Sequence, residues 1–387
     1  MERDIYDEDH EAFREVVKEF IKRYAPDEKR KQWDADGEID RATMLAAGEA
    51  GIIGLSVPEE FGGAGMLQDY RFRAIVLEEV IGAGLGSLAG AFGIQDDLAV
   101  PYIAHMGTQA QKEKWLPGMA TGEILGALAM TEPGAGSDLR GIKTTAKKVD
   151  GGYIVNGAKT FISSGKTADM VVTFVKTGEG NRPDAFSLLI LENGMEGFDH
   201  GKKLEKMGFH GWDTAELSFT DVFVPEENLI GGREGQGFIQ LMMNLPLERL
   251  SIGVAAAAAG EAAFNWTRDY VLSREAFGQA IAEFQNTRFK LADMATTVDV
   301  MWAYIDRAMM LYKDAKLTPE EAAKVKFWTT DREWELLDIG VQLHGGYGYI
   351  TEYPIARAFL DARVHRIYGG TNEIMRDLVA RQIVGKR

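Results

Sequence analysis

The chain has 387 residues, 45% of them hydrophobic and 26% charged, which is typical of a globular protein. Its formal net charge of −16 argues against a general nucleic-acid-binding surface, because contacts to phosphates require an excess of Lys and Arg. The absence of cysteine excludes disulfides, thiol nucleophiles and thiolate metal sites. No apolar run is long enough for a membrane span and no targeting peptide is recognisable, so we expect a cytoplasmic protein without a membrane or nucleic-acid partner.

The first third of the chain is predicted to be helical. Apolar residues recur at helical spacing from Phe13 to Ile21, and residues 71–79 also follow a helical pattern. From about residue 124 to residue 225 the pattern changes to short β-branched or alternating runs. These runs predict strands at residues 153–155, 170–175, 186–191 and 217–219.

Long helices are predicted again in the last third. They include an Ala-rich helix through residues 254–260, a helix through residues 291–316, and a helix that begins with a capping box at Thr318. This order predicts an α+β protein with three domains and without the strand–helix alternation of a Rossmann domain. We expect an all-helical domain at residues 1–123, a β-barrel or β-sandwich domain at 124–236, and a four-helix bundle domain at 237–387.

Two short segments of the β region carry candidate binding groups. Residues 130–138 read Met-Thr-Glu-Pro-Gly-Ala-Gly-Ser-Asp, a loop whose N–H and hydroxyl groups could meet a phosphate or a polar ring. A Gly-rich loop taken alone is more often a tight turn. Residues 161–163 read Phe-Ile-Ser, and Phe161 by itself is most simply a core residue of a strand.

A proline-containing helical segment carries a candidate acid–base residue. Residues 245–249 read Leu-Pro-Leu-Glu-Arg, and Pro246 removes a helical hydrogen bond, so we expect a kink that brings Glu248 toward the site. A Glu-Arg dipeptide is most often a surface ion pair, which is the alternative interpretation of Glu248 and Arg249.

Residues 366–374, near the C-terminus, read Arg-Ile-Tyr-Gly-Gly-Thr-Asn-Glu-Ile. With the segments above, this string resembles the acyl-CoA dehydrogenase family, in particular its long-chain-like type, and the resemblance covers roughly residues 5–385. In most members the loop reads Tyr-Glu-Gly-Thr, and its glutamate removes the substrate α-proton. That position is Gly369 here, and the resemblance to the long-chain and isovaleryl types implies that Glu248 is the base.

The resemblance also implies FAD as the cofactor and a homotetramer built as a dimer of dimers. Residues near Arg274 and Gly345 would reach a neighbouring subunit's FAD, although a solvated arginine and an ordinary helix C-cap are the alternatives. His344 is expected to pack or cap, and no metal site is expected. The implied FAD-binding residues are Leu128, Met130, Thr131, Gly136, Ser137, Phe161, Ile162, Ser163, Arg274, Phe277, Phe284, Gln285, Gln342, Leu343, Gly345, Gly346, Thr371 and Glu373.

The implied reaction is the α,β-dehydrogenation of a saturated acyl-CoA to a trans-2-enoyl-CoA, with the β-hydrogen leaving as hydride to flavin N5. An electron-transferring flavoprotein would reoxidise the flavin, and medium- or long-chain fatty-acid oxidation is the expected pathway. Gly369 lacks the carboxylate but keeps an N–H that can hold the enolate oxygen. The implied substrate-binding residues are Ser137, Arg249, Tyr368, Gly369 and Gly370.

Asp96 and Asp97 stand in a helical stretch that borders the acyl tail in relatives. Adjacent acids usually form a solvated face, and an inward-facing acid would indicate a polar, branched or cyclic acyl tail. Two other functions stay open: a flavin oxidase or monooxygenase of the same fold that uses dioxygen, and an assembly or binding protein without catalysis. Reaction of the reduced flavin with oxygen would indicate the first, and failure to take up FAD the second.

Overall fold

A computed structural model describes residues 3–385. The predicted order of helical, β and helical regions is confirmed. Within the described residues, the first region has seven α-helices, and a π-helical segment at Ile94–Ala99 joins the fifth to the sixth. The helices are α1 (Glu8–Tyr24), α2 (Asp27–Asp36), α3 (Arg41–Glu49), α4 (Arg71–Gly82), α5 (Gly86–Gly93), α6 (Val100–Met106) and α7 (Gln109–Thr121).

The middle region is one curled, mixed sheet with the strand order β1-β4-β2-β3-β7-β6, and β5 pairs with β4. Gly151, with a φ of 77°, turns the hairpin between β2 and β3. Residues 170–175 of β4 are buried on both faces. The strands are β1 (Gly126–Ala129), β2 (Thr145–Val149), β3 (Gly152–Ser163), β4 (Met170–Lys176), β5 (Phe186–Glu192), β6 (Phe198–Lys203) and β7 (Thr214–Pro225).

The last region is built from long helices and a small hairpin; the second long helix runs antiparallel to the first, and the third runs parallel to the first. The helix α8 runs through Pro246 without a break, and the predicted capping box at Thr318 opens α10. The elements are α8 (Gly237–Ser273), β8 (Glu275–Ala276), β9 (Gln279–Ala280), α9 (Gln285–Lys313), α10 (Pro319–His344), α11 (Pro354–Ala362) and α12 (Asn372–Ile383).

The hydrophobic core ties these regions together. One cluster of buried apolar residues is shared by the N-terminal helices and by α8, α9 and α10. Other clusters lie on the two faces of the sheet, and α6 and α7 cover one of these faces. The helix α6 therefore lies between the sheet and α8, where its polar side chains can reach the segment that contains Glu248. No helix within residues 3–385 is both long and apolar enough to cross a bilayer.

Candidate active site

Glu248 lies in the interior of α8 and is only 3% exposed. Its Oε1 atom accepts a 2.8 Å hydrogen bond from the hydroxyl of Tyr102 on α6. Burial raises the pKa of Glu248 to about 7, while the Tyr102 hydrogen bond and the charge of Arg249 act in the opposite direction. The interpretation of Glu248 and Arg249 as a surface ion pair is therefore wrong. A buried carboxylate with this pKa is matched to proton transfer near neutral pH.

Arg249 is also buried, and its Nε atom has no hydrogen-bond partner within the described residues. Burial lowers its pKa, although the guanidinium stays charged over the physiological range. A buried cation without a hydrogen-bonded partner is costly in an isolated protein. Arg249 thus provides a donor for a polar or anionic group beside Glu248.

Gly369 approaches α8 one turn beyond Glu248. A Cβ atom built on Gly369 would lie 2.4 Å from the Cδ1 atom of Ile252, which follows Glu248 by four residues on the same helix face. Gly369 has a φ of 63°, a left-handed conformation that favours glycine. Gly369 therefore packs against α8 one turn away from Glu248, so the two positions that the family resemblance links lie close together.

The loop at residues 130–138 and the segment at residues 161–163 are also neighbours. The N–H of Thr160 donates a 2.9 Å hydrogen bond to the carbonyl of Thr131. The buried Nζ of Lys159 donates to the carbonyl of Met130 at 3.0 Å and to Glu132 at 2.9 Å. These contacts fix the loop to β3 and leave Gly136 and Ser137 exposed.

Phe161 has an unusual backbone and an exposed ring. It lies in a register shift between Lys159 and Ile162, has a φ of 58°, and is 67% exposed. The interpretation of Phe161 as a core residue is wrong, because the irregularity turns its ring outward. A bulky residue in the left-handed region indicates strain, which is concentrated at functional sites.

The residues in these two segments fit a flat aromatic cofactor such as a flavin. Phe161 offers an exposed ring beside the hydroxyls of Thr131 and Ser163, which are partly buried. The side chains of Leu128 and Ile162 point into the core, so their contribution to such a site would come from the backbone.

Most of the remaining predicted cofactor residues form a second group near the C-terminal ends of α8 and α10. Phe277 is 96% exposed at the tip of the hairpin formed by β8 and β9, and its ring meets that of Phe284 edge to face. Tyr270, one turn before Arg274, donates a 3.2 Å hydrogen bond to the carbonyl of His344 and thereby joins the two halves of the group. The other members are Gln285, Gln342, Leu343, Gly345 and Gly346.

No hydrogen bond, ion pair or ring contact within residues 3–385 joins this second group to Phe161 or Thr131. His344 is buried, and its Nδ1 atom lies 2.7 Å from the carbonyl of Gly340, in the packing and capping role expected for it. Three or more His, Cys, Asp or Glu side chains do not gather into a possible metal site anywhere in the described chain.

The prediction of a solvated face at Asp96 and Asp97 is wrong, because both are at most 1% exposed. Asp96 accepts backbone N–H bonds from Gly54 and Ser56. Asp97 forms a 3.0 Å ion pair with the equally buried Arg73 and also accepts hydrogen bonds from the hydroxyls of Tyr70 and Ser251. Both carboxylates are engaged by the protein itself, so they do not provide an argument for a polar acyl tail.

Two residues that contact the site, Tyr102 and Lys326, were not predicted from the sequence. Tyr102 gave no signal, because a tyrosine in an apolar helix is usually core. Lys326 is fully buried and donates a 2.9 Å hydrogen bond to the carbonyl of Gly370. A lysine among the apolar positions of α10 was the available signal for Lys326.

Three other predicted residues lie near this loop. Thr371 caps α12, Glu373 is exposed in its first turn, and Tyr368 is partly buried beside Gly369.

Three family models match the chain, and together they span most of it. They are described as the N-terminal, middle and C-terminal domains of acyl-CoA dehydrogenase and match residues 7–123, 127–222 and 235–384. The mitochondrial long-chain specific acyl-CoA dehydrogenase of Mus musculus is 42% identical over 384 residues, which are 99% of this chain and 88% of the relative.

Solved structures that resemble this chain include further acyl-CoA dehydrogenases. An acyl-CoA dehydrogenase from Geobacillus kaustophilus matches with a TM-score of 0.94 and 42% identity over 98% of both chains. An acyl-CoA dehydrogenase from Bacillus anthracis, complexed with FAD, matches with a TM-score of 0.90 and 31% identity over 98% of this chain and 67% of the other. The chain belongs to the acyl-CoA dehydrogenase family of FAD-dependent oxidoreductases.

Proposed function

We propose that this enzyme converts a saturated medium- or long-chain acyl-CoA into a trans-2-enoyl-CoA, with Glu248 as the catalytic base. The observation that carries the proposal is the buried Glu248 carboxylate on the helix face that Gly369 contacts. In this arrangement α8 supplies the base, and the loop supplies a backbone donor where other members carry a glutamate.

Glu248 takes the α-proton, and its carboxylate becomes a carboxylic acid. The electron pair of the broken Cα–H bond forms the Cα–Cβ double bond as the β-hydrogen leaves with its electrons. When bound, FAD supplies the acceptor for that hydride. Because the pKa of Glu248 is raised to about 7, the carboxylate is a stronger base than an exposed glutamate, and part of it is still ionised at neutral pH.

The thioester oxygen gains negative charge as the α-proton leaves. The Gly369 N–H is the proposed donor to this oxygen, and a fixed donor of this kind typically contributes 10²–10³ in rate, or about 3–4 kcal/mol. Arg249 is the proposed contact to the coenzyme A portion, because its buried guanidinium needs an electronegative partner. Ser137 and Tyr368 are the further proposed substrate contacts.

The proposed assembly is a homotetramer in which subunits share FAD sites. The exposed Phe277 and the segment around Gly345 would complete the FAD site of a neighbouring subunit in a homotetramer. The proposed acceptor is an electron-transferring flavoprotein. An oxidase of the same fold would instead pass its electrons to dioxygen.

The test is an anaerobic titration of the holoenzyme with saturated acyl-CoAs of increasing length. We expect medium and long chains to bleach the flavin absorbance in the wild type, and Glu248→Gln to bleach it at least about 10³-fold more slowly. Glu261→Gln is the matched control, since Glu261 is a partly buried glutamate on the same helix and also accepts a side-chain hydrogen bond, from Trp302.

Bleaching of Glu248→Gln at the wild-type rate would place the base elsewhere. The absence of bleaching with every straight-chain thioester would exclude the proposed substrate class. Mixing the reduced enzyme with aerated buffer then decides the acceptor, because rapid reoxidation by dioxygen alone would contradict the flavoprotein partner.

A further inference from the structure

The loop between α11 and α12 contains two adjacent glycines in left-handed conformations. The φ angles of Gly369 and Gly370 are 63° and 88°. Glycine has no Cβ atom to limit rotation, so two in succession make the backbone pliable at the position where the Gly369 N–H has to be aimed. A precise donor at this position therefore requires restraint from outside the loop.

A buried ammonium group provides this restraint on the C-terminal side of the glycines. Lys326 on α10 is 0% exposed, and its Nζ donates a 2.9 Å hydrogen bond to the Gly370 carbonyl and a 2.8 Å bond to Oδ1 of Asn372. The side-chain amide of Asn372 in turn donates to the hydroxyl of Thr330 at 2.9 Å. Lysine and asparagine thus tie the residues that follow Gly369 to one helix.

Contacts from α10 also hold the residues that precede Gly369. The Nδ1 atom of the buried His365 lies 2.9 Å from both carboxylate oxygens of Glu333. The His365 ring stacks on that of Tyr368, with 5.5 Å between ring centroids. Lys326 and Glu333 are seven residues apart and therefore lie on one face of α10.

Stability alone does not account for a lysine in this place. Burying an ammonium group is costly, and a buried polar group is often replaced by apolar residues without loss of stability. Burial, with the neighbouring charge of Arg249, lowers the pKa of Lys326 to about 7. Both protonation states keep an N–H for the carbonyl, so the hydrogen bond to Gly370 is present on either side of neutral pH.

We propose that Lys326 is a positioning residue for catalysis: by holding the Gly370 carbonyl, it anchors the C-terminal end of the two-glycine segment, two peptide units from the Gly369 N–H, and so limits the rotations by which that N–H could turn away from the developing enolate oxygen. This inference rests on the proposed function. It concerns the orientation of the oxyanion donor and leaves the identity of the base and of the hydride acceptor unchanged.

The test compares Lys326→Met with the wild-type holoenzyme and with Lys324→Met. Lys324 is two residues away and partly exposed, and its side chain makes no hydrogen bond or ion pair within residues 3–385, so it controls for the loss of a lysine from α10. The probe is a 3-thia-acyl-CoA, which can lose an α-proton but has no β-hydrogen to transfer. Its enolate is detected as long-wavelength charge-transfer absorbance with the oxidised flavin.

For Lys326→Met we expect kcat to fall by about 10- to 100-fold with KM little changed, because the lost orientation matters in the transition state. The pH at which the enolate band is half formed should rise by about one unit, which corresponds to a tenfold loss of enolate stabilisation. Lys324→Met should match the wild type in both measurements. A merely structural lysine would alter FAD content and Tm without moving the enolate pH.

Two results separate this inference from the proposed function. If the wild type binds the probe but gives no enolate band at any pH, the proposed function fails. If the wild type gives the band and Lys326→Met gives it at the same pH, the positioning role of Lys326 is overturned. Should Lys326→Met not retain FAD, Lys326→Gln replaces it: its side chain is one bond shorter, so the same shift is expected, and wild-type behaviour would overturn the inference.

Discussion

The hydroxyl of Tyr102 donates a 2.8 Å hydrogen bond to Oε1 of Glu248, although the two residues are 146 positions apart in the chain. Tyr102 is fully buried, and this is the one side-chain hydrogen bond to Glu248 within the described residues. The tyrosine therefore offsets part of the rise that burial causes in the pKa of Glu248, and it also fixes the orientation of the carboxylate. Both effects are open to measurement.

Replacing Tyr102 with phenylalanine should raise the pKa of Glu248 further. The Tyr102 bond lowers this pKa, so its removal leaves the effect of burial less opposed. The acid limb of kcat/KM against pH should move upward by about one pH unit, because a hydrogen bond to a charged group is worth about 1.5–3 kcal/mol. Tyr304→Phe, which makes no side-chain hydrogen bond in the described chain, is the control. An acid limb that does not move, or that moves to lower pH, would contradict the prediction that the Tyr102 hydrogen bond lowers the pKa of Glu248.

Glu248→Gln should make the protein more stable in alkaline solution. Burial raises the pKa of Glu248 from 4.5 to about 7, so between these values the unfolded carboxyl ionises before the folded one and stability is lost. The loss is complete above pH 7 and amounts to at most about 3 kcal/mol. A glutamine does not ionise. Thermal unfolding should therefore show a larger Tm advantage for the variant at pH 8.5 than at pH 5, and an equal advantage at both pH values would refute the prediction.

Gly369→Ala should be destabilising through contact with Ile252. The new Cβ atom would lie 2.4 Å from Cδ1 of Ile252, in addition to about 1 kcal/mol of strain from a φ of 63°. Ile252→Val removes that Cδ1 atom, so the double variant should recover part of the lost stability. Gly51→Ala controls for strain alone, since its φ is 68° and nothing lies within 4 Å. Additive effects of Gly369→Ala and Ile252→Val would show that the clash is absent.

Asp97→Asn should destabilise the protein strongly. It would leave the guanidinium of Arg73 buried without its ion pair, at a cost of about 3–5 kcal/mol. Glu226→Gln breaks an exposed ion pair with Lys148 and should cost less than about 1 kcal/mol. Tm values from thermal unfolding of both variants provide the comparison. Similar values for the two variants would show that the Arg73 pair is replaceable by solvent.

The sequence was sufficient to predict a structural feature where the residues that determine it are close together in the chain. The capping box at Thr318 depends on residues three positions apart, and it was predicted correctly. The sequence was insufficient where a partner is distant. Asp97 was predicted to be solvated because its partner Arg73 stands in another helix, and Tyr102 was missed because nothing near it in the chain marks Glu248 as its acceptor.

The strained backbone conformation of Phe161 is formed during folding, before any ligand binds. Its left-handed backbone and outward ring are set by the irregular pairing of β3 with β7, so the unfavourable conformation, of order 1–3 kcal/mol, is imposed when the sheet forms. A ligand that stacks on this ring meets a preorganised surface and does not have to induce the conformation itself. Association at this edge of the sheet should therefore be limited by diffusion and docking and not by local refolding.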